Sequence, residues 1–260
     1  MLKVDLNCDM GESFGLYELG RDEEMMQYIT SANIACGYHA GDPQIMGKTV
    51  AMAKEHQVAI GAHPSFPDLL GFGRRRMNAT PAEIKDYVIY QLGALQAFAK
   101  LHGVKVQHCK PHGALYMMAM EEEDVAKAIL EGLYQINPDI AVFAMNRSAV
   151  EEVGSRMGMR IVKEVYSDRE HTKSGSIVLT RKGPLIEDYE ALAQRVVRMV
   201  KDGKVRTDSG EDTDLTAETV CIHGDTPGAV QLAKAIRKAL AENDILVSSI
   251  HGRSEETIGR

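Results

Sequence analysis

The 260-residue sequence contains no tryptophan, and its four cysteines show none of the usual paired spacings. Cys8, Cys36, Cys109 and Cys221 include no close pair and no CxxC, the spacing typical of zinc and redox sites. Each cysteine lies at the end of an apolar, β-branched run. We therefore expect four small buried thiols in a reducing compartment rather than disulfides or metal ligands.

Long apolar runs and excess positive charge are also missing. No window approaches the roughly 18 apolar residues of a membrane span, and Met1–Leu6 lacks the apolar stretch of a signal peptide. The chain has 30 Lys and Arg against 37 Asp and Glu, which gives a net charge of −7. This balance argues against nucleic acid or an anionic membrane as the main partner. We expect a cytoplasmic protein that acts on a small molecule.

Sequence motifs for nucleotide binding and for a serine nucleophile are absent. No GxGxxG follows an apolar run, and no GxSxG occurs. The segment GDPQIMGKT, residues 41–49, resembles a P-loop but has five residues between its glycines, where a P-loop has four. Asp42-Pro43 is also typical of a helix start, which would place Lys48 inside a helix. The sequence therefore predicts neither a dinucleotide site nor a P-loop.

The chain repeats one pattern: a short apolar run, a polar cluster and an amphipathic helix. Thr80–Glu83 forms a capping box, and apolar residues at helical spacing follow it as far as Gly103. Strands that alternate with helices require parallel pairing and right-handed crossovers. The predicted strands are Lys3–Asn7, Ser31–Gly37, Val58–Ala62, Val104–Cys109, Ile140–Met145, Arg160–Val165, Thr219–Ile222 and Asp244–Ile250.

Seven or eight such units in this length predict an α/β protein with a TIM-like (β/α)7-8 barrel, formed as a single domain over 1–260. Three segments carry further local predictions. Thr226-Pro227 is expected to begin a helix, as Asp42-Pro43 is. Ser176–Thr180 is a candidate strand of a hairpin. The polar segment Lys204–Asp214 is expected to be a mobile loop.

Ionisable residues are concentrated where the predicted strands end, which is where barrel enzymes carry their active sites. A single histidine at such a position is more often structural, but four of these segments carry one. Carboxylates and imidazoles there can transfer protons or bind a metal, whereas Lys and Arg can stabilise a developing negative charge. Residues suited to proton transfer or metal ligation are Asp5, Asp9, Glu12, His39, His63 and His223, and the cations are Lys110 and Arg169.

Two alternatives stay open at these strand ends. Asp9, His39 and His63 would make an Asp/His/His metal site with an open position for water, although no HxH or HExxH fixes it. The segment Phe66–Arg76, which ends in three arginines, suits a lid over an anionic substrate. It suits equally well an ordered surface loop whose arginines pair with acids.

Five blocks of sequence carry a resemblance to a known family. They run in order along the chain: DLNCDMGESFG from Asp5, SANIACGYHAGDP from Ser31, IGAHPSFPDLLGFGRR from Ile60, KPHGALY from Lys110 and HGDTPGAV from His223. Together they resemble the LamB/YcsF family. The match is weakest near Glu164, where Asp168 and Arg169 agree with the family pattern but residues 165–167 depart from it.

The resemblance implies a barrel related to glycoside hydrolases and polysaccharide deacetylases. It also implies the A subunit of an ATP-dependent 5-oxoprolinase, which opens 5-oxo-L-proline to L-glutamate with two partner subunits, B and C. The implied cofactor is ATP with Mg²⁺, which those partners would bind in whole or in part. A divalent metal in this chain stays an open question.

We hypothesise roles for the strand-end residues in this reaction. Asp9 or Glu12 would be the general base, and His39 and His63 would shuttle protons, orient groups or bind a metal. Lys110 and Arg169 would neutralise developing charge. Two other functions stay open: a metal-dependent deacetylase or amidohydrolase, and a non-catalytic lactam-binding subunit. The remaining candidates, for substrate binding, are Asn7, His112, Asp168, His223 and Asp225.

Overall fold

Ten strands are present in the computed structural model, which describes residues 1–178 and 188–251. Seven of them close into a parallel barrel in the order β1-β2-β3-β4-β5-β6-β9, with β9 pairing back to β1. The strands are β1 (Leu2–Met10), β2 (Ser31–Ala35), β3 (Ala59–His63), β4 (Val106–Cys109), β5 (Ala141–Met145), β6 (Ile161–Tyr166), β7 (Lys204–Arg206), β8 (Asp212–Asp214), β9 (Thr219–Cys221) and β10 (Ile245–Val247).

The barrel closes because β1 is long enough to have two neighbours on one edge. Its first part, Leu2–Val4, pairs with β10, and its middle part, Asp5–Asn7, pairs with β9. The other edge of β9 pairs with β6. The predicted TIM-like α/β barrel is therefore confirmed with seven strands in the ring, and the eighth predicted strand extends the sheet beside β1.

The helices begin and end largely where capping residues predict. At the start of α3, Thr80 Oγ1 accepts a hydrogen bond from the Glu83 amide and the Glu83 carboxylate accepts one from the Thr80 amide, and the helix ends at Gly103 with φ 68°. Asp42 caps α2 through the amides of Gln44 and Ile45. Among the described residues, no helix is long and apolar enough to cross a membrane. The helices are α1 (Asp22–Met25), α2 (Pro43–Glu55), α3 (Pro81–His102), α4 (Gly113–Glu121), α5 (Glu123–Ile136), α6 (Ala149–Met157), α7 (Tyr189–Lys201) and α8 (Ala229–Glu242).

Two local predictions are wrong. Thr226-Pro227 does not begin α8, because Gly228 adopts a left-handed φ of 84° and the helix starts at Ala229. The predicted mobile loop, Lys204–Asp214, contains the antiparallel hairpin β7–β8. Its strands are too short and too charged to give an apolar alternation.

The predicted hairpin strand Ser176–Thr180 lies partly outside the described residues. Within them, Ile177 makes a single antiparallel bridge to His171.

The two faces of β1 show how the barrel places polar groups inside. Val4, Leu6, Cys8 and Met10 belong to the main apolar core. The residues between them lie on the opposite face, since side chains alternate along a strand. Asp5, Asn7 and Asp9 therefore point into the barrel and form hydrogen bonds with the inward-facing residues of neighbouring strands.

Candidate active site

A cavity of about 580 Å³ opens where the barrel strands end. This volume lies within the range of small-molecule sites. Eight of the twelve predicted site residues line it, Asn7, His39 and Asp168 lie behind its wall, and Asp5 lies deeper inside the barrel. The lining residues predicted from the sequence are Asp9, Glu12, His63, Lys110, His112, Arg169, His223 and Asp225.

The floor of the cavity is built around Lys110, which directly follows β4. Its Nζ lies 3.0 Å from Glu164 Oε1, 3.2 Å from Asp9 Oδ1 and 3.1 Å from Cys221 Sγ. Burial alone would lower the pKa of the ammonium, but the neighbouring acidic groups raise it well above its usual value. Lys110 is therefore a fixed positive charge at the base of the cavity.

Glu164 is the second partner of this lysine, and the site prediction did not include it. It is 1% exposed. Its Oε2 accepts hydrogen bonds from the Tyr116 and Tyr166 hydroxyls, both at 2.8 Å, and its Oε1 accepts one from Asn7 Nδ2 at 3.0 Å. With Lys110, four donors thus surround this carboxylate. Asn7, predicted to bind substrate, instead positions this buried pair from below.

Asp9 is held at the cavity surface by a chain of amide and imidazole groups. Its Oδ1 accepts a hydrogen bond from Asn33 Nδ2 at 2.8 Å, and Asn33 Oδ1 accepts one from His108 Nε2 at 2.8 Å. Burial tends to raise the pKa of Asp9, but the facing His63 and Lys110 lower it well below the usual value. The result is a rigid carboxylate with one oxygen on Lys110 and the other 3.5 Å from His63 Nε2.

Three histidines and Glu12 form a second group beside Asp9. Glu12 Oε1 lies 3.0 Å from His39 Nε2 and 3.5 Å from His112 Nδ1, which in turn lies 2.9 Å from His63 Nε2. The rings of His39 and His112 stack with their centroids 3.8 Å apart. Burial, together with the neighbouring imidazoles, lowers the pKa of His112 to about 3 and that of His39 well below its usual value.

A third group lies on the rim. His223 Nδ1 lies 2.7 Å from Asp168 Oδ1, and its ring stacks on Tyr166. Asp168 is buried behind this histidine, which explains why it does not reach the cavity surface itself. Arg169, the next residue, lines the cavity. Asp225 lies at the mouth.

The segment Phe66–Arg76 forms an ordered loop along one side of the cavity. Phe66 is fully buried, and Arg75 pairs with Asp68 inside the loop. Arg76 pairs with Glu122 on a neighbouring helix cap. Arg74 projects over the mouth, with a guanidinium nitrogen 3.8 Å from Asp225 Oδ2. All three arginines therefore pair with acids, as expected for an ordered loop, and Arg74 does so at the entrance of the cavity.

Two residues considered from the sequence, Lys48 and Asp5, do not line the cavity. Lys48 lies within α2 and is exposed, so residues 41–49 do not form a P-loop. Asp5 lies inside the barrel and accepts hydrogen bonds from the hydroxyls of Thr30, Ser31 and Thr219. Burial raises its pKa to about 6. Asp5 therefore supports the interior and does not face the cavity.

Several residues of the site were missed from the sequence, and most of them share one signal. Asn33, His108, Glu164 and Tyr166 are polar residues inside β2, β4 and β6, where a parallel sheet buried on both faces should be apolar. Polar residues inside such strands are therefore the signal that could have identified this part of the site. Tyr116, from α4, carries no comparable signal.

The seven-stranded barrel first identifies the class of fold to which the chain belongs. The seven-stranded barrel is similar to the polysaccharide deacetylase Bc1974 from Bacillus cereus, with a TM-score of 0.51 and 14% identity over 100% of this chain and 96% of that chain. At this identity the likeness shows the fold alone, and it confirms the predicted deacetylase-like barrel.

The chain belongs to the LamB/YcsF family, whose model matches residues 4–255. This confirms the family predicted from the five blocks of sequence. The chain is 51% identical to the 5-oxoprolinase A subunit of Pyrococcus horikoshii over 95% of this chain and 97% of that protein. It is 50% identical to the protein of the same name from Bacillus licheniformis, over 96% of this chain and 99% of that one. A lactam utilization protein from Thermus thermophilus superposes with a TM-score of 0.90 at 41% identity, covering 96% of this chain and 100% of that chain.

Proposed function

We propose that this chain is the A subunit of an ATP-dependent 5-oxoprolinase, in which it contributes residues to the hydrolytic opening of 5-oxo-L-proline to L-glutamate. The names of relatives at about 50% identity and of the Thermus structure support the substrate class. The observation that carries the chemistry is the cavity floor, where Asp9 and Lys110 form an ion pair at 3.2 Å. The Asp9 carboxylate is suited to activate water, and the Lys110 ammonium group is suited to bind a phosphoryl oxygen.

The reaction needs both kinds of group. A five-membered lactam is stabilised by amide resonance and recloses readily, so hydrolysis requires an activated carbonyl. Transfer of the γ-phosphoryl group of ATP to the lactam oxygen provides this activation and releases ADP. Water then adds to the ring carbon and the ring C–N bond breaks as the nitrogen takes a proton. The resulting acyl phosphate reacts with a second water to give glutamate and phosphate.

We assign the removal of the water proton to Asp9. It lines the cavity, and its carboxylate is held at fixed points by Lys110 and Asn33. Glu12, the other candidate base, is instead surrounded by the histidines of its own group. Lys110 and Arg169 stabilise negative charge on the oxygens of the phosphorylated lactam.

The rim pair supplies a proton carrier on another side of the cavity. Asp168 lies against His223 Nδ1 and therefore fixes the ring orientation, which leaves Nε2 available to the substrate. His223 is the candidate donor to the leaving ring nitrogen. This arrangement follows the logic of a general acid oriented by a buried carboxylate.

ATP and the partner subunits belong to the same proposal. The sequence carries no P-loop and no GxGxxG, so we assign most ATP and Mg²⁺ contacts to subunits B and C. The relatives are named as the A subunit of their enzyme, which supports a complex of several chains. A cytoplasmic location stays a prediction of the sequence.

A protein that only binds the lactam is the alternative to exclude. The test is an Asp9→Asn variant of the complex reconstituted with B and C, assayed for glutamate formed from labelled 5-oxoproline and for lactam binding. We expect turnover to fall at least about 100-fold, because general base catalysis contributes this much, while binding is retained. The exposed Asp86→Asn on α3 is the matched control. Full turnover by Asp9→Asn would contradict the assignment.

A further inference from the structure

Glu12, His39, His63 and His112 bring four potential ligand atoms together on one side of the cavity. Each residue offers one oxygen or nitrogen, and all four atoms lie within 4.8 Å of one another. Three of the residues line the cavity, and His39 lies behind His112. The reaction proposed above gives these four residues no necessary step.

Backbone carbonyl groups fix the proton on two of the rings. His63 Nδ1 lies 2.6 Å from the Lys110 carbonyl oxygen, and His112 Nε2 lies 2.8 Å from the Phe72 carbonyl oxygen. A carbonyl oxygen only accepts, so each of these ring nitrogens carries a hydrogen. A neutral imidazole has one N–H. When both rings are neutral, the other nitrogens, His63 Nε2 and His112 Nδ1, therefore carry lone pairs.

These lone pairs face each other. His63 Nε2 and His112 Nδ1 are 2.9 Å apart, a hydrogen-bond distance between two atoms that have no hydrogen to share when both rings are neutral. Glu12 Oε1 adds a third acceptor 3.5 Å from His112 Nδ1 and lies 3.0 Å from His39 Nε2. Converging acceptors repel one another unless a proton or a metal ion lies among them.

We propose that Glu12, His39, His63 and His112 bind one divalent transition-metal ion of the zinc type. In a tetrahedral site with bonds of about 2.0–2.1 Å, neighbouring ligand atoms lie roughly 3.3 Å apart. The separations of 2.9, 3.0 and 3.5 Å lie on either side of this value. Imidazole nitrogens with a carboxylate oxygen are suitable ligands for zinc.

The hydrogen bonds behind the ligands fit the same conclusion. Histidines that bind metals usually donate their other ring N–H to a carbonyl or carboxylate, which fixes the ring and its tautomer. His63 and His112 both do so. His39 Nδ1 has no hydrogen-bond partner in the part of the chain that the structure describes, and its ring is held by stacking on His112.

This set differs from the Asp9/His39/His63 site considered from the sequence, because Asp9 is engaged by Lys110 and Asn33. An ion held here would polarise a water or a carbonyl oxygen at the cavity surface. The inference goes beyond the proposed reaction. Metal binding is measured without turnover, so it can fail or hold independently of the 5-oxoprolinase assignment.

The test uses the purified metal-free chain, titrated with Zn²⁺ by calorimetry and with Co²⁺ by absorption spectroscopy. We expect one equivalent to bind, with visible bands of four- or five-coordinate cobalt and no near-ultraviolet thiolate band. Glu12→Gln and His112→Gln should each weaken binding at least about 100-fold, since loss of a ligand costs more than loss of an outer partner. His39→Gln should weaken binding as well, and the exposed His56→Gln should cost nothing.

Three results would overturn the proposal. The first is absence of stoichiometric binding by the unmodified chain, which would mean that shared protons satisfy the cluster. The second is unchanged affinity in folded Glu12→Gln and His112→Gln variants. The third is a cobalt–thiolate band with loss of binding in His223→Gln, which would assign the ion to the Asp9, Cys221 and His223 group, whose atoms also lie within 4.8 Å of one another. The spectrum of the unmodified chain decides the matter even if a variant does not fold.

Discussion

Lys110 Nζ and Glu164 Oε1 lie 3.0 Å apart, and both side chains are buried beneath the cavity. Lys110 directly follows β4 and Glu164 lies on β6, so the pair bridges the two strands that flank β5 in the barrel. Because Lys110 also contacts Asp9, its charge is shared between a buried carboxylate and one that lines the cavity. The buried Glu164 carboxylate and the cavity-lining Asp9 carboxylate therefore depend on the same ammonium group.

Lys110→Met should destabilise the fold strongly and abolish turnover. Removing one member of a buried ion pair typically costs about 3–5 kcal/mol, because the remaining charge is left without compensation. Here Glu164 and Asp9 would both lose their cation. Urea unfolding of the purified chain measures the free energy. A loss below about 1 kcal/mol would show that the pair carries little of the stability.

Thr80→Ala should lower the free energy of unfolding without lowering turnover. Thr80 caps α3 through the Glu83 amide and is not one of the described residues that line the cavity. We expect about 1 kcal/mol less free energy of unfolding, the usual cost of a lost N-cap. Turnover in the reconstituted complex should be unchanged below the melting temperature. A large fall in turnover would mean that activity depends on stability in general and not on the cavity.

Asp168→Asn should lower turnover about as much as loss of His223. The two side chains meet at 2.7 Å, and the carboxylate orients the imidazole. Residues that act as a unit show effects that do not add, so the double variant with His223→Gln should be no worse than the poorer single variant. Rates for the two single variants and the double variant complete the cycle. Strictly additive losses would show that the pair does not work as one group.

His171 should make the fold sensitive to acid. Burial, followed by the neighbouring Arg195, lowers its pKa from 6.5 to about 3. Arg195 donates a hydrogen bond to His171 Nδ1 at 2.8 Å, so this nitrogen has no place for a second proton. Between these two pH values the unfolded chain binds the proton and the folded chain does not. The contribution is therefore present above pH 6.5 and is lost as the pH falls toward 3.

The measurement is the free energy of unfolding of His171→Gln and of the unmodified chain across this pH range. The two should converge by at most about 1.4 kcal/mol per pH unit as the pH falls below 6.5, because one group contributes this slope. His56→Gln, exposed on the surface, should run parallel to the unmodified chain. Parallel curves for His171→Gln would contradict the assigned shift.

Much of the barrel was predictable because parallel strands and capped helices leave strong local patterns. The capping box at Thr80 and the cap at Asp42 fixed two helix starts. The strand ends also located eight cavity residues, since a parallel barrel brings the carboxyl ends of its strands to one rim. The sequence does not indicate which polar side chains of different strands pair inside the barrel. Asn7 and Glu164 lie 157 positions apart, yet Asn7 Nδ2 donates a hydrogen bond to Glu164 Oε1 inside the barrel.

Other features escaped prediction for local reasons. Gly228 adopts a left-handed φ that moves the start of α8 past Thr226-Pro227. The hairpin β7–β8 is held by backbone pairing of only three residues on each strand, and four of these six residues are charged. The proton positions on His63 and His112 depend on backbone carbonyls from other segments. That one domain spans all of 1–260 stays a prediction.

The proposed function makes this chain one subunit of an ATP-driven enzyme that opens a lactam. Its most direct test is the release of labelled glutamate from 5-oxo-L-proline, with ATP and Mg²⁺, by the chain alone and by the chain reconstituted with subunits B and C. We predict turnover only in the complete mixture, and its loss when the chain is omitted or carries Asp9→Asn. Robust turnover by the isolated chain, or undiminished turnover by B and C without it, would contradict the account.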